Sequence, residues 1–225
     1  MGFAKFFVGL VFLWIGSVLP AQSADSARLV YGKVEVRSKN NQPLGVNSGV
    51  VVYLKEVNGN KGFTPMGGRP SMASENMKFS PDVLPVLVGT SVVFPNKDDA
   101  IHNVYSASET KKFDFGRYGN GEENSIRFDK PGIVDIFCKI HPLMAGTILV
   151  LENPFFTTTD EKGNYSISGI PPGKYTMVSW FPFGNSQEQP VDLTQEAKVR
   201  ADFVLVKVRA SNHKKKAGEK KPPQR

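Results

Sequence analysis

The chain has 225 residues, of which 40% are hydrophobic, with one cysteine and a formal net charge of +7. That length allows one large domain or two small ones, and a single cysteine excludes an internal disulfide. The charge does not describe a basic face: residues 207–225 hold eight cations against Glu219, residues 25–206 are close to neutral, and no nucleic-acid partner is expected.

The first residues have the pattern of an export signal. Lys5 supplies the positive start, Phe6 to Leu19 is apolar but short for a membrane span, and small residues follow at Ala21, Ser23 and Ala24. Cleavage is expected at about residue 23 or 24, which leaves no stable membrane insertion; an uncleaved anchor helix is the alternative. No cysteine lies near the cleavage point to carry a lipid, and no twin-arginine pair is present. Residues 1–24 are therefore assigned to a signal peptide and the protein to the periplasm.

After the signal, helical periodicity is almost absent. Short β-branched or alternating runs are separated by Gly, Pro, Asn and Asp, the pattern of all-β sandwiches. Leu29–Val36 and Gly49–Val57 read as strands, and a Gly/Pro-rich loop runs from Asn58 to Arg69. VLPVLV and SVVFPN follow around a turn at Gly89. FDFGRY, ENSIRFD, GIVDIFC and AGTILVLE come after His102. Asn153-Pro154 opens a second style of sequence, FFTTTDEKGNYSISGIPPGKYTMVSWF, which closes with VRADFVLVKV. Turns at Lys162-Gly163-Asn164 and Pro171-Pro172-Gly173 are turn chemistry and not phosphate cradles. The tail, 207–225, has Pro-Pro and no apolar residue except alanine after Val208; it is expected to be disordered, and either touches anionic surfaces or merely solubilises the end.

Chemistry concentrates at four residues. Cys138 ends the strand GIVDIFC; His141 and Met144 follow at successive spacings of three, with Pro142 stiffening the loop. His102 sits upstream, at the end of a different strand. One thiolate, two imidazoles and one thioether form the ligand set of a type 1 (blue) copper site, in which His2Cys lies in a plane and Met on a long axial bond. Zinc would accept Cys and two His, but thioether is a poor zinc ligand. A lone cysteine in a β-core is ordinarily a buried hydrophobe and a methionine ordinarily packing; the joint spacing C-x2-H-x2-M after a strand argues against both. The only other histidine is His213, in the tail, so no second copper centre or His-dependent hydrolase can be assembled. No catalytic residues are assigned, and no enzyme activity is expected. Met66, Met72 and Met77 lack a regular metal-binding spacing and are taken as loop and core residues.

At these residues the sequence resembles a cupredoxin. The short ligand loop is similar to that of amicyanin and shorter than those of plastocyanin or azurin. MKFSPDVLPVLVGTSVVFPNKDDAIHNVYS resembles the cupredoxin entry pattern, and residues 71–181 resemble bacterial plastocyanin-like proteins often labelled methylamine utilisation proteins. The resemblance implies His102, Cys138 and His141 as equatorial ligands and Met144 as axial ligand. It implies that Asn103 hydrogen-bonds to the ligand loop and steadies the thiolate. Electrons would leave through the His141 ring edge, within an apolar collar that includes Pro142 and Leu143, with Lys139 and Lys112 as candidate neighbours.

The flanks carry a second resemblance. GKVEVRSKNNQPLGVNSGVVVYL, TTTDEKGNYSISGIPPGKYTMVSWF and VRADFVLV resemble parts of a carboxypeptidase-regulatory-like or transthyretin-like sandwich. Neither flank alone can close a core. The expected architecture is a Greek-key cupredoxin β-sandwich, 71–152, inserted into a small β-sandwich made of 25–60 and 153–206. Alternatively, residues 29–57 add N-terminal strands to the cupredoxin. The strand Ala145–Glu152, about 26 Å long at ~3.3 Å per residue, would carry the chain away from the copper loop and leave that face open. Trp180, Phe181 and Phe183 are either a partner patch or core packing.

The function expected is one-electron transport between redox partners such as a c-type cytochrome or a dehydrogenase. The alternatives are an envelope binding or scaffold module with an ancillary copper site, and a copper storage or trafficking protein.

Overall fold

The computed structural model describes residues 27–57, 63–65, 67–182 and 184–208. The expected signal peptide, Met66, Phe183, His213 and nearly all of the basic tail lie outside the described residues. Among the described residues the secondary structure is entirely β.

Seventeen strands follow in chain order: β1 (Arg28–Arg37), β2 (Val51–Leu54), β3 (Ala73–Glu75), β4 (Lys78–Ser80), β5 (Val83–Leu87), β6 (Thr90–Pro95), β7 (Val104–Ser108), β8 (Lys111–Asp114), β9 (Glu123–Phe128), β10 (Gly132–Cys138), β11 (Ala145–Leu151), β12 (Phe156–Thr158), β13 (Asn164–Ile170), β14 (Lys174–Trp180), β15 (Gln187–Asp192), β16 (Lys198–Arg200) and β17 (Phe203–Val206). Several expected strands shift. FDFGRY stops at Asp114, because its side chain accepts the Gly116 N–H at 3.0 Å and Gly116 turns to φ 73°. VRADFVLV breaks at Ala201-Asp202, where Ala201 N–H bonds to the Tyr31 carbonyl and Asp202 accepts the Lys33 amide at 2.8 Å.

The central strands form two layers. One is a five-stranded sheet in the order β5-β11-β10-β7-β8. The other pairs β6 with β9, and β3, hydrogen-bonded to β4, joins it through parallel bridges from Ser71 to Val93 and Ser74 to Asn96. Period-2 alternation explains the core between them. Val134, Ile136 and Cys138 of β10 point inward with Ile148 and Val150 of β11, against Val92, Phe94 and Phe128 of the other layer.

The flanking strands form two more sheets. β1 lies between β13 and the pair β16/β17, and β12-β2-β14-β15 make the second sheet. Their core contains Val30, Val34, Val52, Leu54, Ile167, Ile170, Met177 and Leu205, drawn only from the two flanks.

A third apolar cluster joins the two bodies. β2 turns Val52 and Leu54 into the flank core and Val51 and Tyr53 outward. β11 turns Ile148 and Val150 into the central core and Leu149 and Leu151 outward. Val51, Leu149 and Leu151 meet there, together with Val83, Phe156 and Trp180. This explains the apolar run Ile148–Leu151 that ends β11, a strand buried on both faces. The seam lies along the strand that leaves the Cys138–Met144 loop.

Candidate metal centre

Strand register brings the donors together. β10 pairs antiparallel with β7, and Cys138 stands opposite Val104. His102, two residues before Val104, therefore lies just beyond the sheet end, beside Cys138. It is held by reciprocal hydrogen bonds with Tyr118, each 3.0 Å. His141 and Met144 arrive from the loop after β10.

Cys138 Sγ lies 3.7 Å from His102 Nδ1 and 3.7 Å from His141 Nδ1, and the two Nδ1 atoms are 3.1 Å apart. A point equidistant from the three atoms is about 2 Å from each, close to metal–nitrogen and slightly short of metal–sulfur bond lengths. Among the described residues this is the one cluster of at least three His, Cys, Asp or Glu donors able to share an ion. His102, Cys138 and Met144 are buried; His141 is half-buried, so the centre opens to solvent along one imidazole. The donors fit copper: soft thiolate and thioether beside two imidazoles.

Around His141 the surface is apolar. Leu143 is 80% exposed, Pro142 is exposed, and Ile140 and Ile101 stand out near the same loops.

Asn103 is 5% exposed, and its main-chain carbonyl accepts the Lys139 amide at 3.0 Å. Its side-chain amide donates to Asp114 Oδ1 at 2.9 Å and so does not itself bond to the loop. Asp114 also binds the Lys139 ammonium, which stacks 5.5 Å from the Tyr105 ring centre. Lys139, the Gly116 amide and Asn103 together hold the Asp114 carboxyl down at about 2. Lys112 pairs instead with Glu109 on the surface. Burial pushes the Tyr118 phenol up to about 12.

The other residues singled out in the sequence fall as follows. Met72 is fully buried in the central core, and Met77 is exposed on a turn. Trp180 packs in the seam and Phe181 against the flank core. Sequence reasoning missed Asp98, whose Oδ2 lies 2.9 Å from His102 Nε2. Asn96 fixes the loop that carries Asp98: its buried amide bonds to Ala100 and Tyr118 carbonyls and its oxygen takes the Asp98 N–H, contacts that no spacing in the sequence announces.

Residues 69–151 match the family described as copper binding proteins, plastocyanin/azurin family. This segment carries a cupredoxin domain. The match leaves the flanking strands unassigned. Similar solved structures include a reduced amicyanin variant, 25% identical, covering 38% of this chain and 84% of that one with a TM-score of 0.35. A purple cupredoxin from Nitrosopumilus maritimus is 24% identical and covers 36% of this chain and 98% of its own, at a TM-score of 0.33. A copper-containing nitrite reductase from Thermus scotoductus SA-01 is 31% identical; the likeness covers 44% of this chain but 25% of the reductase, at a TM-score of 0.37. No curated protein matches the chain.

Proposed function

We propose that this protein is an exported one-electron carrier with a single type 1 copper, ligated by His102, Cys138, His141 and axial Met144. The observation that carries this reading is the Nδ1–Nδ1–Sγ triangle, with sides of 3.1 to 3.7 Å, at one end of a β-sandwich. Copper bound there would supply a Cu(II)/Cu(I) couple. The chain's own residues do the rest. The sandwich fixes His102 and Cys138, the short loop fixes His141 and Met144, and the core excludes water from the thiolate. His141, half-exposed within the collar of Pro142 and Leu143, gives the electron its exit to a docked partner, such as a c-type cytochrome or a dehydrogenase.

The flanks, 25–60 and 153–206, would form a companion sandwich of carboxypeptidase-regulatory-like type. The reading is supported by their two shared sheets and single core. The seam through Leu149 and Leu151 leaves the ligand loop free, which suits transient docking. Export to the periplasm rests on the pattern of residues 1–24.

The test is reversible turnover. Copper-loaded protein is expected to exchange electrons with a c-type cytochrome, and Leu143→Glu is expected to slow that exchange at least tenfold without changing the visible spectrum. Copper that does not cycle, or that is lost to a chelator within minutes in both oxidation states, would point to trafficking.

A further inference from the structure

His102 has a second partner outside the donor triangle. Its Nδ1 faces Cys138 and His141, while its Nε2 meets Asp98 Oδ2 at 2.9 Å. The His102 side chain is fully buried and that of Asp98 is 12% exposed, so water competes little for this bond. A carboxylate offers only acceptors. A proton on Nε2 would satisfy that carboxylate and leave the Nδ1 lone pair for a metal.

Asp98 is itself anchored. Its Oδ1 accepts the Asn76 amide at 2.6 Å and its Oδ2 accepts the Met77 amide at 3.1 Å. These two residues form the tight turn between β3 and β4, both left-handed, at φ 55° and 58°. Turns of this kind favour Asn-Gly; a methionine in the second position is strained, because its side chain crowds the main chain at positive φ. That conformation aims two adjacent N–H groups at one carboxylate. The hairpin tip, the carboxylate and the imidazole thus form one chain of charge-assisted hydrogen bonds.

We propose that Asp98 is a charged positioning residue for the metal centre: anchored by the Asn76–Met77 turn, it holds His102 as the Nε2–H tautomer and lowers the centre's reduction potential. A carboxylate bonded to the far nitrogen of a ligating imidazole makes that imidazole a stronger donor. On reduction one electron arrives from the partner, the charge of the site falls by one, and no proton is transferred. A fixed negative charge beside the site opposes that fall and favours the oxidised state. The potential effect rests on the copper reading above; the tautomer does not.

The experiment has two arms. In the metal-free protein, 15N NMR of the imidazoles is expected to show His102 protonated at Nε2 in the wild type and a mixture of tautomers in Asp98→Ala. In copper-loaded protein, Asp98→Asn keeps the shape of the side chain and removes its charge. At equilibrium with a fixed redox mediator its reduced-to-oxidised ratio is expected to rise about tenfold, or 59 mV for one electron, with Asp98→Glu falling between Asn and wild type. A wild-type His102 protonated at Nδ1, or an unchanged ratio in Asp98→Asn, would overturn the inference. Should Asp98→Ala fail to fold, the wild-type tautomer and the Asn and Glu variants still decide it. Failure to form a thiolate–copper band in the wild type would instead overturn the carrier reading, and the metal-free tautomer would still show whether Asp98 positions His102.

Discussion

The amide of Cys138 donates to the carbonyl of Met144 across 3.3 Å, so the first and last donors of the loop are tied to each other by main chain. Met144 in turn donates to the His141 carbonyl at 2.9 Å, and the Lys139 amide is held by Asn103. Three of the four proposed ligands therefore share one closed turn, whose shape does not depend on their side chains. Such a loop can keep the donors in place while the charge of a bound ion changes.

Because those bonds are main-chain, Met144→Leu is expected to preserve the fold. Met-to-Leu exchanges in cores cost less than about 1.5 kcal/mol, so the melting temperature should fall by only a few degrees. Replacing the axial thioether by hydrocarbon removes a donor and makes the site more apolar, which disfavours the more highly charged Cu(II), so the reduction potential should rise. Calorimetry and redox titration of the same sample check both halves.

Asp114 gives a pH dependence with a definite sign. Its carboxyl is held down at about 2 in the fold, by Lys139 first and then by the Gly116 and Asn103 groups. The unfolded chain titrates at about 3.9. The stabilisation is thus present above pH ~4 and is lost as pH falls from there toward 2. The Asp114 side chain is 43% exposed, so solvent screens the Lys139 pair and its worth stays below about 1 kcal/mol. Asp114→Ala should lower stability by that amount at pH 7 and flatten the decline between pH 4 and 2, as followed by urea unfolding at each pH.

The seam couples the two bodies. Leu149 is 6% exposed and packs among Val51, Val83 and Leu151. Leu149→Ala removes buried methyls and should cost about 2–4 kcal/mol. The wild type is expected to unfold in one transition; the variant should separate into two, resolved by comparing tryptophan fluorescence of Trp180 with the signal of the metal centre.

Gly32 marks where β1 changes neighbours from β16 to β17. A Cβ placed there would stand 1.9 Å from the Ala201 carbonyl oxygen, a main-chain atom that cannot swing away. Gly32→Ala should destabilise by more than about 2 kcal/mol, visible as a loss of folded yield or a large drop in melting temperature, while Gly67→Ala, with open space around it, serves as control.

The Cys138–Met144 loop stood out in the sequence because Cys138, His141 and Met144 lie within one short run, and the structure brings Cys138 and His141 together with His102. His102 was picked out by its place in His-Asn-Val, but not its position in the fold: it stands just before β7, beyond the loop 96–101 that follows β6, and not at the end of a strand. Strand β10 was read to the residue, since Gly132 opens it and Cys138 ends its inward alternation. The β3–β4 hairpin was not read, because Glu75-Asn76-Met77-Lys78 contains no glycine and its left-handed turn is stabilised from a distance by Asp98. Asp98 was missed for the same reason: its role needs partners at 76, 77 and 102, and nothing in their spacing brings them together. The run AGTILVL was read as a strand, but its second buried face depends on Val51, Val83 and Trp180 from elsewhere in the chain. The mode of the Asn103 contact was also beyond spacing, since the main chain reaches the loop while the side chain turns to Asp114.

A type 1 copper site at Cys138 is decided by titrating the mature protein with Cu(II) and recording its visible spectrum beside Cys138→Ser. An intense red-region thiolate-to-copper band is expected that saturates at one copper per chain, bleaches with ascorbate, returns on oxidation, and is absent from Cys138→Ser. A folded wild-type protein that shows no such band, or a band that persists in Cys138→Ser, would contradict it.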